Sequence, residues 1–329
     1  MEHEKILSVQ QLAVSFSLPG GGALRAVKEL SYSIEAGGSL AIVGESGSGK
    51  TVQARALMGI LPHDGHISGG RAIFAGENLL ACNAKALQRL RGKEIAMVFQ
   101  NPVDSLHPAY TIGAQLIEAG MAHKTYSRKE AKERAEALLA RVGLPQTKAC
   151  MKRYPHELSG GMCQRVMLAM SLMQSPRLLI ADEPTTALDV TTQAQILSLL
   201  QDLQKKEGCA LLFITHDLAV VASLCRHIVV MYAGRVLESG TVAEVFRDPR
   251  SPYTKTLLRS MPSLHDDGAG RAPLPGIAPD PRQEQVGCPF APRCKDCLPI
   301  CKEQLPPLGE IAPDHQVACW RGEECAAHG

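Results

Sequence analysis

The chain has 329 residues, room for one large domain plus an appendage and an ample buried core. Lys+Arg 35 against Asp+Glu 33 leaves a formal net charge of +2, and aromatics are only 4%. Neither a basic field nor a base-stacking surface therefore argues for nucleic acid. The acidic start lacks an apolar h-region, and the most apolar stretch, Ala210 to Ala233, is broken by His216, Asp217, Arg226 and His227. No signal peptide and no membrane span are expected.

Ile6 to Phe16 and Ala26 to Ile34 alternate as strands do, separated by the turn-like run from Leu18 to Gly22. The apolar run Ser39 to Val43 then leads into Gly44-Glu45-Ser46-Gly47-Ser48-Gly49-Lys50-Thr51, ahead of a helix-compatible segment from Thr51 to Met58. This is the G-x-x-x-x-G-K-[ST] phosphate loop. Its glycines let backbone N–H groups turn inward on phosphate oxygens, and the helix start adds the positive end of a dipole. Lys50 is placed to reach the β- and γ-phosphates, and the Thr51 hydroxyl to ligate Mg²⁺. The chain is expected to bind a nucleoside triphosphate.

Gly69 to Gly76 reads as a short strand between glycine turns, and Glu94 to Phe99 as a strand ending at Gln100. From about residue 111 to 175 the texture is helical. Ser127 to Glu130 fits a capping box, with Ala131, Ala135, Leu138, Leu139 and Val142 at helical spacing before Gly143. Within this region Ser159 is a candidate N-cap in Leu158-Ser159-Gly160-Gly161-Met162, opening a helix and a second anion site. Leu178 to Ala181 and Ala210 to Thr215 suit buried parallel strands, flanking an amphipathic helix from Thr191 to Lys206. Alternation of this kind predicts an α/β fold with a mainly parallel sheet covered by helices. Asp182 and Glu183 close the first of those strands, where ligands of open α/β sheets bind. Asp182 would hold Mg²⁺, and Glu183 would take a proton from the attacking water.

Past about Arg247 prolines punctuate a linker texture with little secondary structure, and beyond it Cys288, Cys294, Cys297, Cys301, Cys319 and Cys325 crowd together. Such a tail has little core of its own, so a bound metal would be what folds it. The other five of the 11 cysteines are scattered and read as small buried hydrophobes.

Taken together, these motifs resemble the ATP-binding-cassette family. The resemblance implies a P-loop nucleotide-binding domain with an antiparallel β subdomain and a helical subdomain. It also implies that two such domains face head to tail, so that Ser159, Gly160, Gly161 and Met162 of one close over ATP held by the other. Met162 departs from the glutamine that most cassettes carry there. By the same resemblance Gln100 senses Mg²⁺ and the γ-phosphate, and Ala187-Leu188-Asp189 is the dimer-contact loop. His216 looks like the switch histidine, and Phe16 like the aromatic that stacks on adenine. Phe99 to Pro108, the signature in its Leu-Ser-Gly-Gly-Met form, Ser251 to Leu258, and the tail segments Gly287 to Cys294 and Val317 to Trp320 are similar to the dipeptide/oligopeptide/nickel importer subfamily.

That subfamily implies a peripheral ATPase on the cytoplasmic face of the cell membrane, with no nucleic-acid partner. Its partners would be two permease subunits, a second ATPase (a related, non-identical chain or another copy) and an extracytoplasmic solute-binding protein. The cargo would be a peptide; nickel or another small solute remains open, as does, from another class, a soluble cassette acting on ribosomes or DNA. The ATPase domain is expected over residues 1–250 and the Pro/Cys-rich extension over 251–329. Cys288, Cys294, Cys301 and Cys319 have the C-x₅-C-x₆-C-x₁₇-C spacing of subfamily members with a [4Fe–4S] cluster; Zn²⁺ is the alternative.

Overall fold

The structure is a computed structural model describing residues 4–186, 188–260, 276–277, 279–280, 282–283 and 285–322. The chain divides into two compact units. One comprises Met1–Ile6, Ile34–Ser39 and Ala81–Phe213; the other comprises Leu7–Ser33, Leu40–Leu80 and Ile214–Gly329.

In the second unit, β1 (Lys5–Ser17) and β2 (Ala23–Glu35) meet at a turn in which the Gly21 N–H donates to Leu18 O at 3.1 Å. β3 (Ser39–Val43) runs into α1 (Lys50–Leu57), and β4 (Gly65–Phe74) and β5 (Glu77–Asn78) follow. A four-stranded sheet of order β2-β1-β4-β5 results, with Leu7 opposite Phe74 and Phe16 opposite Gly65 in the antiparallel β1–β4 pair. Leu30 and Tyr32 of β2 are buried, as its alternation predicts, and Val27 is buried out of phase with them across Glu29, whose φ is +60°.

The first unit continues with α2 (Ala84–Leu90), β6 (Ile95–Val98), α3 (Pro102–Ser105), α4 (Ile112–Met121), α5 (Arg128–Arg141), α6 (Thr147–Cys150) and α7 (Gly160–Ser171). The helical texture expected between residues 111 and 175 is thus α4 to α7. The Ser127 capping box is present, and Ala131, Ala135, Leu138, Leu139 and Val142 are all buried. α4 packs on α5 through Gly120, where any side chain would lie 2.9 Å from the Ala131 Cβ. β7 (Leu178–Asp182), α8 (Val190–Glu207) and β8 (Ala210–Thr215) complete the unit, apart from the last two residues of β8. β6 and β7 are parallel and wholly buried, which is why they read as continuous apolar runs.

The second unit resumes with α9 (Leu218–Leu224), β9 (His227–Tyr232), β10 (Arg235–Thr241), α10 (Val242–Arg247) and α11 (Pro252–Arg259). Then come α12 (Pro299–Glu303), β11 (Gly309–Ala312) and β12 (His315–Val317). Here the strand order is β11-β12-β10-β9-β3, with β3 and β9 parallel and the other pairs antiparallel. Among the described residues no helix is long and apolar enough to cross a membrane.

The expectation of little secondary structure after Arg247 is corrected. β12 hydrogen-bonds to β10, pairing Glu238 with Val317, so the tail extends the sheet. Strands of three and four residues carry no readable periodicity, and their partner is far away in sequence. The tail also has an apolar anchor. Phe290 is 3% exposed and packs edge-on to Tyr232, ring centroids 5.4 Å apart, and against Tyr253 at 5.2 Å. Of the scattered cysteines, Cys150, Cys163, Cys209 and Cys225 are buried and Cys82 is half-buried. Burial pushes the Cys209 and Cys225 thiols up to about 12, so both are inert packing groups.

Candidate functional site

In the second unit the phosphate loop joins β3 to α1. Gly44 has φ +153°, and a Cβ there would lie 2.1 Å from Met231 O; at Gly49, φ +99°, a Cβ would lie 2.6 Å from Ala26 O. Only glycine allows the loop to pass so close to neighbouring backbone. Lys50 is buried, its ammonium donating to Gly44 O at 2.7 Å and Glu45 O at 2.8 Å. The charge is thereby folded over the loop's own carbonyls. Ser48 Oγ is buried with no hydrogen-bond partner among the described residues, and α1 starts with no side-chain cap and no acid in its first turn. A buried orphan hydroxyl and an open helix N-terminus fit an anion such as phosphate. Phe16 is half-buried, and the path of a Cβ on Gly65 would run into its ring at 2.9 Å. His216 is exposed immediately after β8, ahead of the Asp217 cap of α9.

In the first unit Asp182 ends β7 and is 1% exposed. Glu183 follows with φ +48°, a left-handed conformation that costs a non-glycine residue roughly 1–3 kcal/mol. Its Oε2 accepts from the Gln100 amide at 3.2 Å and from the Thr186 hydroxyl at 2.9 Å. Gln100 and Glu183, far apart in the chain, are thus brought together. Ser159 caps α7, its Oγ accepting from the Met162 N–H at 3.3 Å, and the space around Gly160 is open. Asp189 caps α8: Oδ1 accepts from the Thr192 N–H at 2.9 Å and Oδ2 from its hydroxyl at 2.6 Å. Ala187 lies outside the described residues.

Family models match over two segments: ABC transporter over residues 27–186, and oligopeptide/dipeptide transporter, C-terminal region, over 237–301. The oligopeptide transport ATP-binding protein OppD of Escherichia coli (strain K12) is 47% identical over 98% of this chain and 94% of its own. The dipeptide transport ATP-binding protein DppD of Bacillus subtilis (strain 168) is 44% identical over 99% of this chain and 97% of its own. The chain belongs to the ABC transporter family. It is an ATPase with the cassette fold, similar to the dimeric structure of MJ0796, a bacterial ABC transporter cassette (TM-score 0.66, 25% identity, 72% of this chain and 98% of that one).

Two features of this ABC ATPase escape motif reading. In the first unit Arg165 of α7 donates to Thr192 Oγ1 at 2.7 Å and to Gly143 O at 2.8 Å, tying α7 to the first turn of α8. In the second, Arg293 grips the Glu45 carboxylate with both terminal nitrogens, at 2.6 and 2.9 Å, and reaches the Tyr232 hydroxyl at 3.0 Å. The Glu45 contact raises the guanidinium's pKa further. The Tyr253 hydroxyl accepts from the Glu45 N–H at 3.0 Å. Tyr253 lies in the Ser251 to Leu258 motif and Arg293 in the Gly287 to Cys294 motif, but spacing alone could not reveal that both reach the phosphate loop.

Cys288, Cys294, Cys301 and Cys319, grouped by their spacing in the sequence, all line one partly open cavity of about 20 Å³. Burial, reinforced by Cys301 and Cys319, pushes the Cys288 thiol up to about 11; burial, Asp296 and the thiols of Cys319 and Cys288 do the same to Cys294. Among the described residues, no set of three or more His, Cys, Asp or Glu side chains is gathered so as to hold a metal ion. Cys325 lies outside the described residues.

Proposed function

We propose that this ATPase powers import of oligopeptides or dipeptides through a membrane transporter. The observation that carries this reading is its similarity to two peptide-transport ATP-binding proteins over nearly the whole chain, together with the peptide-transporter C-terminal match at 237–301. The ATPase domain would occupy 1–250 and the importer-type extension 251–329. The subunit would sit on the cytoplasmic face of the membrane against two permease chains, with a second ATPase facing it and an external solute-binding protein delivering cargo.

In this reading residues 44–51 cradle the triphosphate and Phe16 stacks on adenine. Thr51, Gln100 and Asp182 would hold Mg²⁺, which supplies charge neutralisation at the phosphates. Glu183 accepts the proton of the attacking water, and Gln100 and Thr186, already bonded to its carboxylate, aim it. His216 positions the water and the γ-phosphate. Ser159, Gly160, Gly161 and Met162 present the open start of α7 to nucleotide bound on the facing ATPase, with Asp189 at the contact between the two.

Removing a general base costs about 10²–10⁴ in rate. Glu183→Gln is therefore expected to retain ATP binding and lose at least about a hundredfold in turnover. ATP-driven uptake of labelled peptide into liposomes carrying the full complex should fall with it. Uptake of a nickel chelate in place of peptide would reassign the cargo, and near wild-type hydrolysis by the variant would remove Glu183 from its role.

The four cysteines of the tail would hold a [4Fe–4S] cluster, or Zn²⁺ in its place. Four thiols lining one cavity are the right donor chemistry for either; they are not gathered into a ligand set, so such a group would have to draw them together as it cross-links the tail.

A further inference from the structure

Glu45 is an awkward residue to find inside a phosphate loop. Its carboxylate belongs to a segment whose N–H groups and lysine are there to attract a highly charged anion, and an unpaired charge would oppose that. The chain cancels it from a distance of 248 positions in sequence. Arg293 is 5% exposed and meets both carboxylate oxygens, the fork-to-fork geometry only arginine provides. Tyr253 takes the Glu45 N–H, so the residue is held by both its side chain and its backbone. The Arg293 grip is itself mounted on the cysteine segment. Residues Ala291–Arg293 form a helical turn in which the Ala291 N–H donates to Cys288 O at 3.0 Å and the Cys294 N–H to Ala291 O at 3.3 Å. Phe290, which immediately precedes this turn, lines the cysteine cavity and packs on the rings of both Tyr232 and Tyr253. A shift of Cys288 or Cys294 therefore moves the base of the Arg293 side chain.

We propose that Arg293 is a positioning residue for the nucleotide site: it neutralises and fixes Glu45 of the phosphate loop and thereby makes ATP affinity depend on the arrangement of the cysteine pocket. This rests on the assignment of residues 44–51 as the phosphate loop, and the test separates the two. Binding of a fluorescent ATP analogue with Mg²⁺ is measured on the full chain for Arg293→Ala, Arg293→Lys, Lys50→Ala and the double variant Arg293→Ala/Glu45→Gln, with thermal melting run in parallel.

Loss of one charge-assisted pair is expected to weaken binding about tenfold in Arg293→Ala, and less in Arg293→Lys, which keeps the charge but not the fork. Removing the stranded carboxylate in Arg293→Ala/Glu45→Gln should recover most of that loss, which a generally damaged fold would not. Cys294→Ser should weaken binding in the wild-type background and add little in the Arg293→Ala background. If Lys50→Ala leaves binding intact, the phosphate-loop assignment fails. If Lys50→Ala weakens it while folded Arg293→Ala does not, or the double variant shows no recovery, the positioning role is overturned. Additive effects of Cys294→Ser and Arg293→Ala would overturn the link to the cysteine pocket.

Discussion

At the scale of single residues, Glu183 and Asp189 of the first unit are each held by side-chain hydrogen bonds that fix their orientation. Glu183 sits at φ +48°, and its Gln100 and Thr186 hydrogen bonds help offset that strain. Asp189 gives a direct check on such local control. The Thr192 hydroxyl above all, and then its N–H, hold the Asp189 carboxyl below the usual carboxylate range. A folded-state value depressed below the unfolded one means a contribution present above the ordinary Asp range and lost as pH falls through the depressed value. Thr192→Val removes the hydroxyl, so the Asp189 carboxyl should titrate closer to its ordinary value when followed by NMR; an unchanged titration would contradict the assigned cause. Their strand-end position announced Asp182 and Glu183, and the family resemblance Asp189, whereas Thr186 and Thr192 became visible only as hydrogen-bond donors to Glu183 and Asp189.

Among the elements, long and strongly patterned segments were legible and short ones were not. β8 runs over Ala210–Thr215 as its apolar run predicts, and α8 extends the expected helix by one residue at each end, between the Asp189 cap and the left-handed Gly208. β11 and β12 are too short to announce themselves, and what secures β12 is a long-range pairing. Glu238 of β10 is fully buried and accepts from His315 Nε2 at 2.8 Å, from the Arg250 N–H at 2.7 Å and from the Ser251 N–H at 3.0 Å. Glu238→Ala strands all three donors, of which those on His315 and Ser251 are buried. Leaving a buried donor without its acceptor costs about 1–3 kcal/mol, so the urea midpoint should drop accordingly, with the β12 amides losing hydrogen-exchange protection. A variant as stable as the parent would show that the pairing does not anchor the tail.

For the whole molecule, the C-terminal region is the part whose role composition misjudged. Proline and cysteine content suggested an appendage folded by metal alone, yet it contributes strands, an aromatic anchor and two contacts to Glu45. A metal is then expected to add to an existing arrangement. Anaerobically purified protein should contain iron and acid-labile sulfide at about four each per chain, and removing them should lower thermal stability without unfolding the phosphate-loop half. Stoichiometric zinc with no iron would replace the cluster with a zinc site, and absence of both metals would remove the metal-site reading.

The sequence by itself determined the nucleotide chemistry, because a phosphate loop, a strand-end Asp-Glu pair and a capped glycine start each encode their geometry within a few consecutive residues. It also determined the buried strands, whose apolar runs admit little else. Tertiary structure alone decided that Gln100 meets Glu183, that β12 joins β10, and that Arg293 closes on Glu45. Those contacts join positions from 77 to 248 apart. No local pattern records such a pairing, since it is the packing of intervening elements that brings the partners within reach.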